Sequence, residues 1–347
     1  MERFIKEKRV YGGMGINDFS SLIHKYGDRG TPLSIAVGLR PSGVIHLGNM
    51  ATLGLSGVLA KKVGPHLAKV NVTICDLDLP DVKDWNAKDN HYVKYFKDLP
   101  ARDGQPGSML DRASANISEL IGGLEGVLQV QFTTQKLSDV QRKEGFRAGL
   151  KRVLDQKGLM QYILAKVPEG HALVFPLCPE CSTSNPHFPR YDSGKLITAC
   201  NNPSCDIKGQ TYEMNVMDCS RDLAVHFFID PLRDKTVPPY SEVHVFGGDY
   251  REAHNSEDAT KVEKIIKISK IAGQGAVPDM LIGPMFYARD GTKMSKSKHN
   301  GLDIEVLKSH FGGDSAKRIV HLIEYIIKDD LKNVDYSIVD KVLFGKS

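Results

Sequence analysis

The chain has 347 residues, a formal net charge of +4 at pH 7, and 41% hydrophobic against 25% charged residues, enough for a large core and two or three domains. It has no apolar stretch long enough to cross a bilayer, and Met1-Glu2-Arg3-Phe4-Ile5-Lys6 carries no secretory pattern, so a cytoplasmic protein without a membrane partner is expected. The small positive excess permits a local basic face without demonstrating a nucleic-acid ligand.

In chain order, the spacing predicts an amphipathic helix over 16–26, ended by Gly27-Asp28-Arg29-Gly30, to which no chemistry is assigned. Leu33-Ser34-Ile35-Ala36-Val37 is a short apolar run of buried-strand type. The glycine-rich turn Gly38-Leu39-Arg40-Pro41-Ser42-Gly43-Val44-Ile45-His46-Leu47-Gly48-Asn49 follows it. Helical spacing then begins at Met50, Leu53, Leu55, Val58 and Leu59. In such a β-turn-α unit the first helical turn offers unpaired N–H groups and the positive end of the helix dipole, which favour a phosphate. His46 and Asn49 stand where they add side-chain donors. Ordinary turn chemistry and a simple helix cap explain the same residues equally well.

The run Ala68 to Asp78 reads as a second core strand ending in two acids, Asp76 and Asp78. Ligands of open parallel sheets bind beyond the C-terminal ends of the strands, so these acids are candidates for a substrate ammonium or for Mg²⁺, with a solvated acidic turn as the alternative. From Pro80 to Gly107 the composition is polar and includes the sole tryptophan, Trp85, as in an insertion over the crevice. A helix over 110–124, a strand over 127–132 and helical segments to Ala165 continue the alternation. The expected fold class is therefore α/β, a doubly wound, Rossmann-like parallel sheet.

At Cys178-Pro179-Glu180-Cys181 the pattern changes, and Cys200 and Cys205 follow a hairpin-like run at Lys195 to Thr198. Two close cysteine pairs around a hairpin offer four thiolates from two knuckles, the arrangement of a closed structural Zn²⁺ site, here an inserted zinc ribbon. Cys75 and Cys219 read as core thiols. The domain expectation is a first catalytic half over 1–170, the ribbon over 171–215, a second half over 216–300, and a short helical segment over 301–347.

Beyond the ribbon, Glu242 to Asp249 reads as a strand ending in a Gly-Gly-Asp turn, and a helix is expected over 257–271 and a strand over 280–283. Arg289-Asp290-Gly291-Thr292 then leads into Lys293-Met294-Ser295-Lys296-Ser297, a cationic loop beside a glycine. Charge clusters of this kind are commonly solvated loops. About fifty residues follow, enough for two or three helices.

His46-x-Gly48-Asn49 after the first strand, paired with the KMSKS run at 293–297, resembles the signature pair of class I aminoacyl-tRNA synthetases. Over roughly Leu33 to Asn300 the chain is most similar to the catalytic core of the archaeal-type class I lysyl-tRNA synthetases. The resemblance implies a ligase that uses ATP and Mg²⁺ to make an aminoacyl adenylate and then transfers the acyl group to tRNA. It implies a catalytic clamp of His46, Asn49, Lys293 and Lys296. It places ATP against Gly38, Pro41, Gly48, Gly247, Gly248, Asp249, Met294, Ser295 and Ser297, the glycines admitting a flat ligand. It places the amino acid near Arg40, Thr52, Asp76 and Asp78.

Two departures bear on the substrate: the neutral Met50-Ala51-Thr52-Leu53 stands where these enzymes usually carry an acid, and Arg40 where they carry a small polar residue. Both disfavour a lysine ammonium. The helical anticodon-binding domain of the family does not fit into the residues after 297, so the expectation is acyl transfer to an acceptor stem alone, a carrier protein or a small amine. Two other readings are a small-molecule nucleotidyltransferase, which the KMSKS run and the ribbon disfavour, and a non-catalytic relic, which the retained clamp residues disfavour.

Overall fold

The computed structural model describes residues 16–27, 30, 32–41, 44–77, 99–100, 107–225, 242–251, 261–272, 278–294 and 301–345. Helix α1 (Ile16–Gly27) buries Phe19, Leu22 and Tyr26. Strand β1 (Leu33–Leu39), buried at every position but Gly38, runs into helix α2 (Leu47–Val63), which is buried on all sides along most of its length. Strand β2 (Ala68–Ile74) pairs in parallel with β1 from Leu33↔Ala68 to Leu39↔Ile74. Helix α3 (Met109–Leu128) starts with a reciprocal capping box between Ser108 and Asp111 and ends at Gln129, held left-handed at φ 59°. Strand β3 (Gln131–Lys136) then pairs in parallel with β2. Three short helices follow: α4 (Leu137–Gln141), α5 (Glu144–Leu154) and α6 (Leu159–Ile163).

Strand β4 (Val174–Pro176) opens a β subdomain in which β5 (Arg190–Asp192), β6 (Lys195–Ala199) and β7 (Thr211–Asn215) form an antiparallel sheet. Strand β8 (Leu223–Val225) pairs antiparallel with β4 and closes its neck. The chain resumes the central sheet with β9 (Val243–Phe246), a 3-10 turn at Gly248–Arg251, α7 (Lys261–Ala272) and β10 (Asp279–Ile282). A short strand β11 (Met285–Phe286), helices α8 (Ile304–Phe311) and α9 (Ser315–Lys328), strand β12 (Asn333–Val334) and helix α10 (Tyr336–Phe344) complete the described chain.

The fold is α/β around a five-stranded parallel sheet ordered β10-β9-β1-β2-β3. The β1-α2-β2 unit moves outward in one direction and β9-α7-β10 in the other, so the order reverses between β1 and β9, the topological switch point of a doubly wound sheet. Strand residues alternate between two cores. Val245 and Leu281 join Leu33, Ile35 and Val37 in a core shared with α1, α2, α3 and α9, while Phe246, Met280 and Ile282 face a second core built with α5 and α7. Leu196 and Met214 of the β subdomain pack into that second core.

Several element boundaries differ from those read in the sequence. Val127 and Leu128, read as the start of a strand, form the last turn of α3, and the strand lies at Gln131–Lys136. Its residues are polar because β3 is a sheet edge; Glu125 further accepts a hydrogen bond from the Phe132 N–H at 2.9 Å. Strand β2 stops at Ile74, four residues earlier than expected, because the Asp76 N–H turns back to the Ile74 carbonyl. The β4–β8 pairing joins 174–176, within the 171–215 read for the ribbon, to 223–225 beyond it. Most of the insertion at 80–107 and the start of the helix expected from Glu257 lie outside the described residues.

Candidate active site and metal centre

The switch point gathers three element ends: the C-terminal end of β1, the N-terminal turn of α2 and the C-terminal end of β9. His46 is the N-cap of α2, with extended backbone at φ −100° and ψ 168°, and its Nδ1 accepts a hydrogen bond from the Gly48 N–H at 3.0 Å. An accepting Nδ1 places the neutral ring's proton on Nε2, so that nitrogen is a donor beside the positive end of a 17-residue helix. Gly48 makes this geometry possible. A Cβ there would lie 2.8 Å from His46 Cε1 and 3.1 Å from Nδ1, pushing the imidazole off its N–H. The His-x-Gly spacing is thus a packing requirement of the cap itself. Asn49 is half-buried on the same first turn, and Thr52 is buried with its hydroxyl donating to the Gly48 carbonyl at 2.8 Å.

The hairpin bearing Lys293 is also described at its base. The Asp290 carboxylate accepts from the Thr292 N–H and hydroxyl at 2.9 and 2.8 Å, Gly291 takes φ +73°, and Lys293 bridges back to Tyr287. Met294 is buried in the first core. The chain returns beside the α2 cap, where the Leu47 N–H bonds the Leu302 carbonyl at 2.7 Å and the Ile304 N–H bonds the Ile45 carbonyl at 2.9 Å. His46 and Asp303, caps of α2 and α8, therefore sit opposite each other in an antiparallel bridge. Two stretches more than 250 residues apart in the chain are laced together by backbone. Ser295, Lys296 and Ser297 lie outside the described residues, as does Asp78.

At the end of β9, Gly247 faces α2, its Cβ position 3.9 Å from Thr52 Oγ1 and 2.9 Å from Asp249 Oδ1. Asp249 pairs with Lys261 of α7 at 3.1 Å. Gly248 serves the fold: a Cβ there would meet the Pro284 carbonyl oxygen at 2.4 Å and the Met285 nitrogen at 2.8 Å. Arg40 is half-buried at the end of β1, Pro41 is buried and Gly38 is exposed. Asp76 is 1% exposed, and both its oxygens accept from Ser138, from the backbone N–H at 3.0 Å and the hydroxyl at 2.6 Å. That pairing ties β2 to α4. Sequence reasoning missed Ser138, Lys261 and the return at Leu302–Ile304; none stands beside its partner in the sequence, and each partnership follows only from strand order.

Cys178, Cys181, Cys200 and Cys205 bring four sulfurs within 4.8 Å of one another, with Cys178–Cys205 at 3.8 Å and Cys181–Cys200 at 3.7 Å. Four sulfurs about 2.3 Å from a central Zn²⁺ have tetrahedron edges of about 3.8 Å. Such separations are far too long for disulfides. The knuckles are built by backbone: the Ser182 N–H bonds the Cys178 carbonyl at 3.0 Å, and the Lys208 N–H bonds the Cys205 carbonyl at 3.0 Å. Burial pushes the Cys200 thiol up. Burial raises Cys181 too, but hydrogen bonds with Thr183, Asn202 and Cys178 outweigh it and bring the thiol down to about 6. The donor set and its separations suit a closed, structural metal. Among the described residues these cysteines are the one group with metal-ligating geometry. Cys75 is buried and Cys219 half-buried, both away from the set.

The subdomain is fixed to the core by Arg147, fully buried on α5, whose guanidinium donates to the carbonyls of Gln141, Val216 and Arg221. Arg142 pairs with Asp222 at 3.2 Å beside it.

No protein-family model matches the chain, and no curated protein matches it. Among solved structures, the chain is similar to a tyrosyl-tRNA synthetase of Archaeoglobus fulgidus complexed with L-tyrosine, at 15% identity and TM-score 0.45 over 88% of this chain and 73% of that one. It is also similar to the methionyl-tRNA synthetase of Mycobacterium tuberculosis bound by methionyl-adenylate, at 10% identity and TM-score 0.42 over 90% of this chain and 68% of that one. No helix among the described residues is long and apolar enough to cross a membrane.

Proposed function

We propose that this chain is a class I aminoacyl-tRNA synthetase-like ligase that activates an amino acid with ATP and passes the acyl group to tRNA or another acceptor. The observation that carries the reading is the lacing of Leu302–Ile304 to Ile45–Leu47, which sets the chain a few residues beyond Lys293–Met294 beside the cap of α2. The amino-acid carboxylate attacks the α-phosphorus of ATP, the bond to the bridging oxygen breaks, and pyrophosphate leaves with the charge. His46 Nε2–H and the α2 N-terminus meet that charge from one side, Lys293 from the other, with Lys296 as a further cation on the loop. Asn49 adds a donor on the same turn, and Gly247 with Asp249 lies where the nucleoside meets β9. An acceptor hydroxyl or amine then takes the acyl group and releases AMP.

Magnesium bound with ATP would neutralise part of the phosphate charge. Cys178, Cys181, Cys200 and Cys205 would hold Zn²⁺ as a structural ion of the β subdomain, with no open position for chemistry. Lysine or a related amino acid is the substrate suggested by the motif, and the neutral first turns of α2 beside Arg40 favour a related amino acid over lysine itself.

The test is ATP–pyrophosphate exchange with each standard amino acid in turn, on wild type and Lys293→Ala, repeated with total tRNA. One amino acid that stimulates exchange, lost in the variant, supports adenylate formation and names the substrate. Exchange that responds to no amino acid under either condition refutes it.

A further inference from the structure

The four thiols of the β subdomain are not equally enclosed. Cys178, Cys200 and Cys205 are 2%, 1% and 8% exposed, with Ile207 and Tyr212 packed against them, whereas Cys181 is half-buried. With the four sulfurs around one ion, Cys181 is the ligand that a competing chelator or an electrophile reaches first. A site enclosed at three of its ligands depends on what holds the fourth.

Thr183 holds it. Its hydroxyl lies 3.1 Å from the Cys181 sulfur, and the residue is only 4% exposed. A thiolate can only accept, so the hydroxyl donates, and a hydrogen bond to a charged acceptor sheltered from water is among the stronger ones. The backbone sets this contact. Ser182 takes φ 54°, a left-handed conformation uncommon for a residue with a Cβ, and its N–H bonds the Cys178 carbonyl at 3.0 Å. The chain then turns back over the knuckle, where the Thr183 carbonyl accepts from the Cys178 N–H at 2.8 Å. Thr183 thereby ties both ends of the knuckle, Cys178 through its carbonyl and Cys181 through its hydroxyl. The neighbouring Ser184 is as deeply buried, at 2% exposed, but its hydroxyl bonds two carbonyls, those of Pro176 at 3.3 Å and Asn185 at 3.5 Å.

We propose that the metal site opens at Cys181 and that the Thr183 hydroxyl is the latch on that opening. Ligand exchange starts when the Cys181 sulfur parts from the ion with its electron pair and a donor atom of the incoming chelator takes the vacated position. The hydroxyl keeps the sulfur aimed at the ion and lowers its nucleophilicity. Thr183 is thus a positioning residue for the metal. The inference rests on the four-cysteine metal reading and is independent of the chemistry at the switch point.

The experiment loads the full chain with Zn²⁺, counts the bound metal, and follows its transfer to a chromogenic chelator at neutral pH. Thr183→Val, which keeps the branched shape and removes the hydroxyl, should release metal at least about tenfold faster than wild type. Thr183→Ser, which keeps a hydroxyl, should restore most of the retention, and Ser184→Ala should release at the wild-type rate. In the Co²⁺-loaded chain the sulfur-to-metal charge-transfer band should move to longer wavelength in Thr183→Val and stay in place in Ser184→Ala, because a sulfur without its hydrogen bond gives up an electron more readily. A merely structural role for Thr183 would leave that band unmoved. Limited maleimide treatment of metal-loaded wild type, read by peptide mass spectrometry, should label Cys181 ahead of the other three ligands, a result that needs no variant to fold. Equal release from Thr183→Val and wild type, or first labelling at Cys178, Cys200 or Cys205, overturns the proposal. So does Ser184→Ala releasing metal as fast as Thr183→Val. A chain that takes up no metal overturns the metal reading as well, and the initial metal count tells that failure apart from the others.

Discussion

Gly247 and Gly248 are adjacent, yet alanine should affect them in opposite ways. At Gly248 the added Cβ would lie 2.4 Å from the Pro284 oxygen, 2.7 Å from its carbonyl carbon and 2.8 Å from the Met285 nitrogen. All three are backbone atoms, and the Pro284 segment is held in place because the flanking Gly283 N–H bonds the Phe246 carbonyl at 2.8 Å and the Met285 N–H bonds the Lys332 carbonyl at 2.9 Å. Ordinary contact would require the turn to retreat by close to an ångström and to stretch both bonds. Overpacking of this kind costs about 3 kcal/mol, which for a chain of 347 residues lowers Tm by about 4 °C.

At Gly247 the nearest atom is Asp249 Oδ1 at 2.9 Å, the end of a side chain 44% exposed that can rotate, and next is Thr52 Oγ1 at 3.9 Å. Gly247→Ala should therefore leave Tm within about 1 °C. Its methyl group projects between α2 and Asp249 at the switch point, and KM for ATP in the exchange assay should rise about tenfold, or about 1.4 kcal/mol of lost binding. Thermal unfolding of both variants beside their exchange kinetics decides the matter. A stable Gly248→Ala with impaired ATP use, or a Gly247→Ala that unfolds early with unchanged KM once folded, would refute this assignment of the two glycines.

Cys200→Ser should drop the bound zinc, counted by elemental analysis, from one per chain to below half and lower Tm, because it removes one of four ligands; treatment of wild type with a strong chelator should do the same. His46→Ala should reduce the exchange rate about 10²–10³-fold, as loss of one positioned donor does elsewhere, with Tm falling only by the cost of an N-cap, about 1 kcal/mol. Arg147→Met should lower stability by about 2–4 kcal/mol in urea titration, since three carbonyls lose a buried donor, partly offset because burial already holds this guanidinium down to about 10. The Asp111 carboxyl is held below its ordinary value by hydrogen bonds from the Ser108 N–H and hydroxyl. Its support of α3 is then present above pH 3.8 and lost as pH falls through the lower folded value. Ser108→Ala should accordingly lower Tm at pH 7, with the deficit shrinking on acidification through the carboxylate range.

Where burial pattern and period agree, the sequence was sufficient. Leu33 to Val37 is apolar at each position but Ser34 because β1 is central and covered on both faces, and the apolar spacing after Met50 reveals a helix even though α2 is buried all round. The cysteine spacing likewise exposed its site, since two knuckles and a hairpin are local structures. The edge strand β3 was misplaced because its polar residues resemble a loop while Val127 and Leu128 imitate a strand. Its identity depends on lying beside β2, which no local window contains.

The same distinction divides the candidate site. His46 and Gly48 were legible because their contact spans two residues, and the structure supplies the reason for the glycine: the imidazole occupies the space where a Cβ would stand. Asp76 was legible as an acid at a strand end but not as the partner of Ser138, 62 residues away, because burial is decided by what β3 and α4 bring to it. Gly248 carries the same lesson in reverse, since a Gly-Gly-Asp turn announces close approach without saying to what. The approach is to Pro284, and the glycine that faces α2 is its neighbour. A motif therefore names residues whose contacts are constrained. Which contacts constrain a residue follows from tertiary placement: His46 and Gly247 stand at the element ends of the switch point, Gly248 lies against the Pro284 turn, and Asp76 is paired with Ser138.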